Sequence, residues 1–229
     1  LFRSMSITYN TSMVRNGLVL QLDAANMKSY IGSGTNWSDL TGLNATATLS
    51  GGGSSFSSAN GGSIACDGTG TILTAPVAFA SAGNTIGFWI YLDDTIDWNT
   101  RFDIVASNIG INTNGRFVLY SFDTTTIRLQ LISPTFTTYG INITNANTVF
   151  TGKWKYVVMT NETISTTTTV LIYLDGSLYA TLSIPEALTA IHSSLLMMRN
   201  SAAGTYPVKG KLSTVTDRKS TRLNSSHDQ

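Results

Sequence analysis

The chain has one cysteine, Cys66, in 229 residues, and with no partner for it an internal disulfide is excluded. With no CxxC and no Cys/His companion beside it, a structural zinc site is excluded too, and Cys66 reads as a small buried apolar residue. Charge is also scarce. Charged residues make up 12% of the chain and sum to a formal +1, with Lys and Arg scattered rather than clustered. That distribution offers no electrostatic footprint for a phosphate backbone or an anionic bilayer, so nucleic acid is not an expected partner. No apolar run approaches the roughly 20 residues a membrane helix needs, which argues against membrane insertion. The N-terminus lacks the basic-then-apolar pattern of a signal peptide, so the chain reads as soluble.

Glutamate and histidine are equally thin, which bears on catalysis. The only glutamates are Glu162 and Glu186, far apart in sequence and each beside a predicted turn. A retaining glycosidase needs two carboxylates about 5 Å apart, usually on one strand face, and no such pattern occurs. His192 is the only histidine before the last few residues, and no GxSxG surrounds a serine, so a hydrolytic triad is not expected. His192 reads as a loop or strand-end residue.

What is present is period-two alternation over an apolar content of 42%, with Thr, Ser, Asn and Gly between the runs. Strands are predicted at 18–22, 62–66, 85–92, 103–107, 116–122, 127–132, 195–199 and 209–216. In the segment from Lys153 to Met159, residues Trp154, Tyr156 and Val158 share one face. Asp175-Gly176 falls between two β-rich runs and supplies the positive φ angles of a type I′ hairpin. A packed core is expected around Phe88, Ile90, Trp154, Tyr156, Val158, Ile172 and Leu174. The Gly/Ser-rich stretch 51–62 reads as a flexible connection inside one domain. The fold class is therefore all-β, a two-sheet antiparallel sandwich of residues 14–216 behind a lead-in segment, 1–13.

Several segments together resemble a known family. They are Gly17-Leu-Val-Leu-Gln-Leu-Asp-Ala-Ala-Asn26, Gly32 to Leu40, Cys66-Asp-Gly68, Ile86-Gly-Phe-Trp-Ile90, Gly152-Lys-Trp154, Tyr173-Leu-Asp-Gly176 and Gly210-Lys-Leu212. In this order they resemble laminin-G-like, concanavalin A-like domains of tailed-phage structural proteins, over nearly all of 14–216. The resemblance implies a jelly-roll sandwich and a non-catalytic binding or structural module on a virion, in a tail fibre or appendage. Its implied partners are a cell-surface glycan or other virion proteins. An assembly-only domain and, further off, a glycoside-acting enzyme are the alternatives. Where the family often carries an acidic pair after Asp67-Gly68, this chain has Gly70-Thr71-Ile72. Residues 217–229 resemble a translated sequencing adapter and are expected to be a non-native tail; Leu1 to Ser4, ahead of Met5, are expected to be upstream translation.

Lectin-like sandwiches hold sugars with loop aromatics and with Asp or Asn groups, often organised by calcium. The candidates here are Trp37 with Asp39, Trp98 with Asp97 and Asn99, and Tyr139. Each has a competing role: Trp37 as an anchor for its loop, Tyr139 as strand-edge packing, and the cluster Asp93, Asp94, Asp97 as a solvated loop. For calcium, the oxygen-rich set carried over by the resemblance is Asp23, Asn26 and Asp67, against which stands ordinary Asx-turn chemistry.

Overall fold

The computed structural model describes residues 16–44, 46–77, 79–80, 83–107, 114–189, 191–198 and 206–219. The lead-in 1–13 and residues 220–229 lie outside the described residues, as does Arg199. The strands form two eight-stranded antiparallel sheets and one two-stranded ribbon.

The first sheet runs β15 (Ser177–Ile184), β14 (Thr167–Leu174), β13 (Trp154–Ile164), β8 (Asn84–Leu92), β18 (Lys209–Lys219), β5 (Ser63–Asp67) and β4 (Ser54–Ser57). Strand β1 (Leu18–Asp23) pairs with the second half of β18, while β5 pairs with the first half. The second sheet runs β12 (Thr138–Ile143), β11 (Ile127–Ile132), β10 (Phe117–Ser121), β9 (Asp103–Ser107), β17 (Leu195–Met197), β6 (Ile72–Ala75), β3 (Ala47–Ser50) and β2 (Asn36–Trp37). The ribbon is β16 (Ile191–His192) with β7 (Phe79–Ala80). Among the described residues, helix is confined to α1 (Ala146–Phe150) and a 3-10 turn at Ala59–Gly61.

The core lies between the two sheets and is filled from both. Leu20, Leu22, Phe88, Ile90, Val157 and Ile172 enter from the first sheet; Leu73, Ile104, Leu119 and Ile127 enter from the second. Alternation supplies these side chains because successive strand residues point to opposite faces. The Asp175-Gly176 turn has φ of 50° and 85°, and joins β14 to β15 directly, as a type I′ hairpin requires. Cys66 is buried in the core, which pushes its thiol up to about 12.

Three expectations are corrected. Trp154, Tyr156 and Val158 do not fill the core: they are half-exposed, while Val157 and Met159 point inward. The phase of β13 is set by its register with β8, where Val157 lies opposite Phe88 and Tyr156 opposite Trp89. A strand's face follows its partner's, so one inward residue in β8 decides which half of β13 is buried. Second, the stretch 51–62 is not only a connection, because it carries β4, paired with β5 along Ser54–Ser57. Third, β18 does not stop at Thr216 but continues over Asp217, Arg218 and Lys219, pairing with both β1 and β8. Leu174 is half-buried against the core at the hairpin end, whereas Phe88, Ile90 and Ile172 are fully buried as expected.

Asp217 is the discordant residue in this core. It faces inward between Leu20 and Ile86, fully buried, and neither carboxyl oxygen meets the geometry of a hydrogen bond. Burial pushes its carboxyl up to about 7, against a weaker pull from the Lys219 charge and the Arg218 backbone.

Candidate functional site

The sequence-predicted sugar contacts are mostly consumed by the fold. Trp37 is wholly buried in β2, edge-on to Tyr30 with ring centroids 6.2 Å apart, so it anchors its loop and has no face to offer a ligand. Asp39 accepts hydrogen bonds from the Gln21 backbone at 2.9 Å, the Thr41 backbone at 3.1 Å and the Thr41 hydroxyl at 2.5 Å. Burial pushes the Asp39 carboxyl up, but the bonds from Thr41, Gln21 and Asn44 outweigh it and hold it below the usual carboxylate range. It stitches the β2–β3 loop to β1. Tyr139 sits in β12 with its hydroxyl donated to Glu186 Oε1 at 3.2 Å, which is packing at the edge of the second sheet.

The loop after β8 is built from Asx turns. Asp93 Oδ1 accepts from the Thr95 amide and hydroxyl, and Asp97 accepts from the Asn99 amide, the Asn99 side chain and the Thr100 hydroxyl. The Thr100 hydroxyl, with the Asn99 amide, holds the Asp97 carboxyl below its ordinary value. Trp98 fastens this loop, donating Nε1–H to Thr151 Oγ1 at 3.1 Å and meeting Phe102 edge-on at 5.2 Å. Asp67 and Asp97 do reach one cleft of about 240 Å³, lined also by Thr95, Thr100, Arg101 and Lys209. Its cations are already paired: Arg101 binds Asp103 at 2.8 Å, and Lys209 lies 3.7 Å from Asp93.

The suggested calcium set is not brought together. Asp23 lies opposite Thr214 and Asp67 opposite Lys209, five positions apart on β18 and therefore about 16 Å along the strand. Asp23 accepts the Ala25 amide, Asn26 the Lys28 amide and Asp67 the Thr69 amide and hydroxyl. These oxygens close turns. Among the described residues no group of three or more His, Cys, Asp or Glu is placed to hold a metal. His192 ends β16, buried, and donates Nε2–H to the Gly115 carbonyl at 2.9 Å.

The outer face of the first sheet carries Trp154 and Tyr156, which the sequence reading placed in the core, together with Trp89 and Tyr91. Trp89 is 40% exposed in the middle of β8, a central strand. Opposite it, Tyr156 lies with centroids 5.1 Å apart and planes at 30°; next along, Tyr91 faces Trp154 at 5.8 Å and 51°. Four aromatic side chains thus form a two-by-two array across β8 and β13. Gly87 makes room for it: a Cβ there would stand 2.7 Å from the Tyr156 hydroxyl. Beside Trp89 the register of β18 shifts between Leu212 and Val215, so Ser213 and Thr214 form a bulge. Bulges re-aim side chains and open local space. Here Ser213, Thr214, Asn60, Trp89 and Trp154 line a cleft of about 290 Å³. It pairs flat apolar rings with hydroxyl and amide groups.

The two facing antiparallel sheets define a jelly-roll sandwich. The sequence profile of the Concanavalin A-like lectin/glucanases superfamily matches residues 67–216, well over half of the chain, and the chain belongs to that family. In structure it is similar to the botulinum neurotoxin serotype D binding domain, with TM-score 0.67 and 14% identity over 89% of this chain and 48% of that one. It is also similar to domain 4 of AbnA, a GH43 extracellular arabinanase from Geobacillus stearothermophilus solved with arabinotriose. The TM-score is 0.62, with 15% identity over 89% of this chain and 92% of that domain. The botulinum neurotoxin type G receptor binding domain gives TM-score 0.63 and 14% identity over 89% and 48%. The chain spans about half the length of the neurotoxin domains it matches. No curated protein is similar enough in sequence to count as a relative. Among the described residues no helix is long and apolar enough to cross a membrane.

Proposed function

We propose that this domain is a non-catalytic glycan-binding module whose contact surface is the outer aromatic face of the first sheet. The observation that carries the reading is the exposed Trp89, coplanar within 30° with Tyr156 and set beside the Ser213–Thr214 bulge. A pyranose ring is apolar on its C–H faces and polar at its rim. Flat aromatic rings bordered by Asn60, Ser213 and Thr214 match both properties. The neighbouring arabinanase domain with bound arabinotriose supports a saccharide ligand for this chain. The absence of catalysis is supported by how the two glutamates are used. Glu162 stands opposite Thr169 in the ladder, and Glu186 accepts from Thr135 and Tyr139. The resemblance to tailed-phage domains supports a virion appendage as the module's setting and a cell-surface glycan as its partner.

Glycan-array binding followed by titration of the best ligand tests this. Trp89→Ala and Trp154→Ala are expected to lose at least tenfold in affinity, as central aromatic anchors do. Concentration-dependent self-association abolished by Trp89→Ala, with no glycan bound, contradicts the glycan reading and supports the assembly-only one. Sugar release from a polysaccharide panel contradicts the non-catalytic one.

A further inference from the structure

We infer that the glycan held by this platform bears a carboxylate, as a uronic or sialic acid residue does, and that Lys211 receives it. The inference rests on the glycan reading above and adds its charge. Lys211 lies in β18 directly opposite Tyr91, on the outer face, with Nζ 5.1 Å from the Tyr91 ring centroid. It therefore continues the cross-strand row Trp154–Tyr91 on the side where the bulge begins. Three other cations have carboxylates within reach: Arg101 with Asp103 at 2.8 Å, Lys155 with Asp175 at 2.6 Å and Lys209 with Asp93 at 3.7 Å. Lys211 has no such ion pair among the described residues and is held against an aromatic face, at the border of the platform.

The same ring fixes which way an acidic ligand lies. Asp94 accepts the Tyr91 hydroxyl at 3.3 Å, so the hydroxyl end of Tyr91 is already negative. A ligand carboxylate is repelled there and attracted to the Lys211 side, where an ammonium acts as a point charge with three donors. The acidic residue then sits over β18 and its neighbours stack on Trp89 and Trp154.

The test is a titration of three trisaccharides, one uncharged, one with a uronic acid and one with a sulfate, against wild type, Lys211→Gln, Lys211→Arg and Trp89→Ala. Lys211→Gln is expected to weaken the uronic acid ligand about fivefold at low salt and to leave the uncharged one unchanged. Lys211→Arg is expected to restore most of the loss. Equal affinity of wild type and Lys211→Gln for the uronic acid ligand overturns the inference, as does a Lys211-dependent preference for sulfate alone. In either case the platform reading survives if Trp89→Ala still weakens every ligand that binds; if no saccharide binds at all, both readings fall.

Discussion

The loops between strands and the outer face of the first sheet handle similar polar and aromatic residue types in opposite ways. In the loops, Asp39, Asp93 and Asp97 are bonded to their own neighbours, while Trp37 is buried beside the first and Trp98 is half-buried against the core beside the other two. On the outer face, Trp89 stands exposed on a central strand and Lys211 has no ion-pair partner among the described residues. An aromatic residue that serves stability is one the fold covers; one left uncovered at the middle of a sheet is available for a ligand. The difference separates loop-building residues from the proposed platform residues where composition alone cannot.

The comparison is most strongly stressed by removing Trp37. Trp37→Ala is expected to cost about 3–5 kcal/mol by leaving a large cavity, measured by denaturant unfolding, while the folded fraction keeps its glycan affinity. If stability is unchanged, Trp37 is not structural. Next in size is Asp217→Val, which replaces an unsatisfied buried carboxyl with an apolar strand residue. Because the folded-state pKa lies above the unfolded one, the folded form holds its proton longer. The cost is therefore absent below about pH 4, grows as pH rises, and levels off above about pH 7. A shift from 3.8 to about 7 corresponds to about 4 kcal/mol at most. The variant is expected to gain about 2–4 kcal/mol at pH 8 and visibly less at pH 4. Equal gains at both pH values contradict a titrating Asp217.

Smaller effects sharpen the contrast further. Asp97→Ala removes the oxygens that close its turn and is expected to lower the melting temperature slightly with glycan affinity unchanged. Trp89→Ala is expected to do the reverse, with a stability change below about 1 kcal/mol and the affinity loss stated above.

The fold was largely readable in advance because alternation and the Asp-Gly turn are local signals, and β9 and β11 have the expected bounds. The short strands β2, β3, β4, β6 and β7 carry two to four residues each, too few for a period to register. The platform was hidden for a different reason. Sequence shows that Trp89 with Tyr91, and Trp154 with Tyr156, share a strand face, and Gly87 hints at close approach there. Only the register between β8 and β13 says that this face is the outer one. Scoring aromatics as core assigned Trp154 and Tyr156 to the wrong side. The loop residues Asp39 and Asp97 misled similarly, since an acid that closes a turn and one that binds a sugar look alike in sequence.

The central claim concerns which tryptophans meet the ligand, and the chain has four of them. Indole N–H resonances of Trp37, Trp89, Trp98 and Trp154, followed by two-dimensional NMR during titration with a saccharide that binds, report on all four at once. The account predicts that the Trp89 and Trp154 signals shift with ligand while those of Trp37 and Trp98 stay in place. Movement of Trp98 with Trp89 and Trp154 unmoved would contradict it and return the binding site to the loop after β8.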